Sequence, residues 1–133
     1  MKMATFSTGA TRTDDADKLD YEGFLSPLVL RRYAQYLHYH RKMDDGSMRE
    51  SDNWQKGIPL ANYMKSMWRH LMDIWTVHRY PNRALNAGNL QGIAQEDALC
   101  AIIFNASGYL HELLVASRGM GRGPSPLLHE VPK

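Results

Sequence analysis

Cysteine is almost missing from this chain: Cys100 is the only one in 133 residues. That excludes an internal disulfide framework and fits a reducing compartment. Set in an apolar helical run, Cys100 reads as a packed thiol rather than a nucleophile. Excess charge of one sign is missing too. A formal net charge of +2 is too small to argue for nucleic acid by bulk electrostatics. No run approaches the roughly 18 apolar residues of a membrane span, and the N-terminus has no signal-peptide pattern. The expected setting is cytoplasmic, with no membrane partner. Strong chemical signatures are also lacking: no P-loop, no zinc pattern, no nucleophile elbow and no dinucleotide-binding glycine fingerprint. No internal repeat occurs.

What is present is ordinary for a globular chain, with 44% hydrophobic and 23% charged residues. The length suits one domain with a real core. The patterning predicts an all-α fold, a compact bundle of three to five helices. Residues 1–24 read as an extended N-terminal arm, 25–117 as the helical domain and 118–133 as a flexible tail. In the arm, Gly9 permits a tight turn, and Arg12 with Lys18 could reach an anion. A solvated leader is the competing reading of the same residues.

Ser26-Pro27 is a helix start, a cap hydroxyl followed by proline at the first position. This helix should run to about Arg41 and bury Leu30, Ala34, Leu37 and Tyr33. Its Tyr36, His38, Tyr39 and His40 lack metal-like spacing or an acidic partner and read as an amphipathic packing helix. Lys42–Asp52 is a charged loop turning at Gly46. Trp54, before the Lys56-Gly57 turn, is either a core anchor or a flat surface for a base.

The stretch that organises the rest is Asn53–Arg79. After the turn at Gly57, Pro59 suits a first helical turn. Two apolar stripes follow, Tyr63/Met67/Ile74/Val77 and Met64/Trp68/Leu71/Trp75, which is too much apolar surface for a helix half in water. Lys65 and Arg69, four apart, and His70 and Asp73, three apart, are neighbours on that helix. The segment Tyr80–Gly92 is a loop rich in Asn and Gly.

The last helix should span about Ile93–Ser117. Its expected buried set is Leu99, Ile102, Ile103, Ala106, Leu110, Leu113 and Leu114. A second stripe, Asp97/Ala101/Asn105/Gly108/Glu112, alternates polar and small residues. It reads either as a ligand-facing surface or as a solvent-facing edge. Asp97 and Asn105 lie roughly 12 Å apart along the axis, too far for one metal ion but within reach of a nucleotide-sized ligand. Magnesium takes oxygen ligands, so Asp73 with Glu96 or Asp97 could meet it across a helix pair. Lys56, Lys65 and Arg69 could then hold phosphates.

Several segments together resemble a phage-encoded family: TGATR at Thr8–Arg12, KLDYEGF at Lys18–Phe24, NWQKGIP at Asn53–Pro59, RHLMD at Arg69–Asp73 and DALCAIIFNASGYLHEL in the last helix. The family is the dATP/dGTP diphosphohydrolase N-terminal domain, and the resemblance covers roughly residues 7–115. It implies an all-α, MazG-like nucleoside triphosphate pyrophosphohydrolase, completed by homo-oligomerisation. Such an enzyme uses Mg2+ or Mn2+ to split a purine dNTP into dNMP and pyrophosphate. Carried onto this chain, the catalytic set is His70, Asp73 and Asp97, and the metal set is Asp73, Glu96 and Asp97. The substrate-binding set is Arg12, Lys18, Asn53, Trp54, Lys56, Lys65, Arg69 and Asn105. MazG-like enzymes carry a Glu-x-x-Glu pair on one helix and Glu-x-x-Asp on the next; here the first place reads His70-x-x-Asp73, and Ala101 stands where the later acid belongs. The shortage of carboxylates motivates a second reading, a non-catalytic protein that sequesters a nucleotide or nucleotide signal. A third is a helical protein–protein module. A phage-encoded chain would act in the host cytoplasm.

Overall fold

The structure, a computed structural model, describes residues 2–81 and 92–119. Two compact units divide the chain, Met1–Leu30 and Arg31–Lys133. The described residues are mostly helical, with one small sheet.

In the first unit, β1 (Met3–Thr5) pairs antiparallel with β2 (Thr11–Thr13), Ala4 opposite Arg12. Gly9 closes the connection at a φ of 89°, in the left-handed region open to glycine. The arm is therefore a hairpin, a small addition to the all-α reading. A four-residue helix, α1 (Tyr21–Phe24), follows, with Asp20 accepting from the Gly23 amide at 2.9 Å. Helix α2 (Pro27–Tyr39) begins where Ser26 Oγ accepts the Val29 amide at 3.3 Å. It buries no residue fully: Tyr33 and Leu37 are half-buried, and Leu30 and Ala34 are exposed.

In the second unit, the loop after α2 folds back on itself. Arg41 and Arg49 exchange contacts: the Arg49 amide donates to the Arg41 carbonyl and Arg41 Nε to the Arg49 carbonyl, both at 2.8 Å. A 3₁₀ turn covers Asn53–Lys56, ended by Gly57 at a φ of 111°. Pro59 then caps α3 (Leu60–Arg79). Helix α4 (Ile93–Ser117) begins after Gly92. Most of the loop expected at Tyr80–Gly92, and the tail beyond Gly119, lie outside the described residues.

The core is the seam between α3 and α4. It holds Leu60, Tyr63 and Val77 from α3, and Ala98, Cys100, Ala101 and Val115 from α4. Tyr63 packs on Gly108, and Ser66 meets Asn105, so rising numbers on one helix meet falling numbers on the other. The helices are antiparallel.

Here the expected faces of α4 are reversed. The stripe read as ligand-facing or solvent-facing is the packed one: Ala101, Asn105, Gly108 and Glu112 are all buried. Leu99, Ala106, Leu110 and Leu114, expected in the core, are exposed, and Ile102, Ile103 and Leu113 are half-buried. The cause is steric. A Cβ at residue 108 would collide with the Tyr63 ring, so glycine there lets the two helices close on each other. The polar member of the seam is also satisfied, since Asn105 Nδ2 donates to the Ala101 carbonyl at 2.8 Å and to Ser66 Oγ at 3.1 Å. On α3 the two apolar stripes part company. Tyr63 and Val77 are buried and Met67 and Ile74 half-buried, whereas Met64, Trp68, Leu71 and Trp75 are exposed.

One sequence expectation needs correction at this level. By length and composition α4 is apolar enough to cross a membrane, and 33% of its most apolar stretch is buried within the fold. Core helices pass the same test, because a packed core and a lipid-facing surface draw on the same apolar residue types.

Candidate functional site

One side of the α3–α4 pair carries a cleft of about 250 Å³. Its floor is Ala101, Asn105, Ser66 and His70, and Phe104 adds an aromatic wall. Tyr36 and Leu37 of α2, with His40 just past its end, close one flank, and the loop supplies Arg41, Arg49, Glu50 and Ser51. Asn53, Trp54 and Ile58 complete the rim. Four segments distant in sequence thus bring together two arginines, two histidines, two asparagines and three aromatic rings.

Local chemistry fixes several of these groups. The indole of Trp54 stands edge-on to His111 at a centroid distance of 4.6 Å. The Tyr36 and His40 rings lie 4.1 Å apart, and His40 Nδ1 sits 2.8 Å from the Tyr36 carbonyl. A carbonyl only accepts, so that nitrogen carries a proton and donates. Burial pushes the Tyr36 phenol up from its ordinary range, with the charges of Asp97 and Cys100 adding to it. It also raises Tyr33, where a hydrogen bond with Ser107 works the other way. The Cys100 thiol is raised by burial, which Arg32 partly counters. A neutral, packed thiol matches the reading of Cys100 as a core residue.

The sequence-derived site residues divide into four groups. Asn53, Trp54, His70 and Asn105 converge on the cleft. Glu96 and Asp97 are both held by Arg32 of α2, its Nε donating to Glu96 at 2.6 Å and its Nη2 to Asp97 at 2.6 Å. These bonds, Asp97 first, hold the guanidinium proton more tightly than usual. Asp73, Lys56, Lys65 and Arg69 are exposed and do not line the cleft. Arg12 and Lys18 belong to the first unit, where Lys18 sits 3.5 Å from Asp15.

The antiparallel register gives the acids one relation. With Tyr63 against Gly108 and Ser66 against Asn105, Asp73 comes level with the first turns of α4, where Glu96 and Asp97 lie. Among the described residues, however, no group of three or more His, Cys, Asp or Glu side chains gathers closely enough to hold a metal ion. Two of the three proposed metal ligands are instead paired with a guanidinium.

Sequence reasoning missed Arg32, His40, Arg41, Arg49 and Phe104. Arg41 and Arg49 bracket a loop whose closure no period announces, and His40 sat on a helix read as packing surface. No known protein family, no characterised protein and no solved structure matches the chain.

Proposed function

We propose that this is a nucleotide-metabolism protein that holds a purine nucleoside triphosphate in the α2–α3–α4 cleft. The observation that carries the reading is the meeting of Arg41 and Arg49 with Trp54, Phe104, Asn53 and Asn105 in one hollow. Guanidinium groups are suited to phosphate oxygens because their planar N–H pairs match two oxygens at once. Amides and aromatic faces suit a base and sugar. The purine preference comes from the family resemblance, as do the MazG-like arrangement, homo-oligomerisation and a host-cytoplasmic setting.

Of the two modes open to such a site, binding without turnover has the better support. Glu50 is the only carboxylate lining the cleft among the described residues, and the Glu96–Asp97 pair is engaged by Arg32. The described donor set does not fit a metal centre as it stands, so no hydrolytic step through Mg2+ or Mn2+ is derived. Pyrophosphohydrolysis to dNMP and pyrophosphate is the second reading. One observation favours it: Asp73, Glu96 and Asp97 share one end of the helix pair, next to His70.

Calorimetric titration with each dNTP, run with and without Mg2+ or Mn2+ and followed by a pyrophosphate assay, tests both. Saturable binding of dATP or dGTP without product supports the binding reading. Pyrophosphate release abolished by Asp97→Ala moves the conclusion to the enzyme. Neither heat nor product with any dNTP ends the nucleotide proposal.

A further inference from the structure

Helix α2 meets the α3–α4 pair through polar groups rather than through a packed core. Of its 13 residues, only Arg32, Tyr33, Tyr36 and Leu37 are even half-buried, and none is fully buried. The seam between α3 and α4, by contrast, is made of buried apolar and small side chains. Apolar burial therefore does little to hold α2 in place. Hydrogen bonds do more. Arg32 Nε donates to Glu96 Oε1 at 2.6 Å and Arg32 Nη2 to Asp97 Oδ1 at 2.6 Å, and Tyr33 hydrogen-bonds with Ser107. All of these residues belong to the second unit, which begins at Arg31.

We propose that the Arg32 guanidinium takes the place of a divalent cation at Glu96 and Asp97, and that this clamp positions α2 as a wall of the cleft. Two carboxylates on successive residues in the first turns of α4 are like charges and favour a cation beside them. The family resemblance supplies that charge as Mg2+ or Mn2+. Here one planar guanidinium supplies it, aiming two N–H groups at two different carboxylates. Each carboxylate keeps a second oxygen, but a dication there would stand beside a fixed cation and be repelled by it. Among the described residues no third His, Cys, Asp or Glu side chain joins the pair to offset that repulsion. A single exposed ion pair contributes little, whereas a fork that spans both acids fixes orientation as well as distance. The Arg32 side chain is itself only 27% exposed. Successive residues of an α-helix turn by about 100°, so Tyr36 lies one turn beyond Arg32 on nearly the same side, and Leu37 follows it. Those two are the α2 residues that line the cleft. Arg32 does not line the hollow and acts on it through them, as a positioning residue.

The clamp holds the wall whatever the cleft binds, so the test needs no nucleotide and its failure leaves the nucleotide reading untouched. Hydrogen exchange of the full chain, followed by mass spectrometry, reads α2 and the α3–α4 seam separately. Arg32→Ala should speed exchange of the amides from Tyr33 to Tyr39 by roughly tenfold, with those from Ala101 to Gly108 unchanged. In the wild-type chain, added sodium chloride should speed the same α2 amides, and Arg32→Ala should remove that salt dependence. Exchange in α2 unmoved by Arg32→Ala, or unmoved by salt in the wild type, overturns the inference, as does a salt response that persists in the variant. If Arg32→Ala fails to fold, the salt series on the wild type decides alone. Electron paramagnetic resonance of added Mn2+ is an independent check. Wild type and Asp97→Ala should leave the free-ion signal equally strong. Uptake by the wild type that Asp97→Ala abolishes overturns the inference, since the acids would then hold a metal with Arg32 in place.

Discussion

The two faces of α4 invert the usual sorting of residues. The face against α3 is built from alanine, glycine, Asn105 and Glu112, all buried, while the face with the leucines is open. Hydrophobicity alone would turn the helix the other way round. Small side chains win the seam because they let Tyr63 come close, and a close-packed contact outweighs a larger, looser apolar one. The cost of burying Asn105 is limited by its two hydrogen bonds. The consequence is local: the seam's polar edge becomes the cleft floor, and the leucines stay exposed.

The comparison can be broken most forcefully at Tyr63. It is 1% exposed, so Tyr63→Ala should cost about 3–5 kcal/mol in urea denaturation. A loss no larger than that of a surface substitution would show that the seam is not the core. Asn105→Ala should follow at about 1–3 kcal/mol, since Ser66 Oγ and the Ala101 carbonyl lose their donor. It should also weaken dATP binding, whereas Leu114→Ala on the open face should leave binding alone.

Arg49→Ala should reduce dNTP affinity by roughly tenfold, the equivalent of one charge-assisted hydrogen bond, without shifting the denaturation midpoint. Calorimetry checks this, and undiminished affinity would remove Arg49 from the site. Smaller still is the alkaline response. Burial raises Cys100, Tyr33 and Tyr36, so their contribution to stability is complete below the unfolded-state values. It is lost as pH climbs from roughly 8.5 for the thiol and roughly 10 for the phenols. Midpoints measured from neutral to alkaline pH should therefore fall, and Tyr36→Phe should flatten the upper part of the slope. Asp45 gives the smallest effect and the opposite sign: Ser47 holds its carboxylate below the ordinary range, so that contribution disappears only in strong acid.

Much of the fold was legible because helix ends are local chemistry. Ser26-Pro27, the turn at Gly57 and Gly92 each marks a boundary that the structure places where the sequence does. The rotation of α4 was not legible. Both stripes repeat with the helical period, and only the steric fit of Gly108 to Tyr63, a contact between distant positions, decides between them. The site followed the same division. Asn53, Trp54, His70 and Asn105 stand in recognisable local patterns and meet in the cleft. Arg41, Arg49 and Arg32 gain their roles from loop closure and from a pairing across more than sixty residues, which no local pattern encodes.

The rotation of α4 is tested most directly by placing the same leucine on its two faces. Gly108→Leu and Ala106→Leu would be compared by urea denaturation. Leucine at 108 should lower stability by at least about 2 kcal/mol, because it forces the seam apart. Leucine at 106, on the exposed side, should change it by no more than about 0.5 kcal/mol. Equal losses, or a larger loss at 106, would contradict the packing from which the cleft follows.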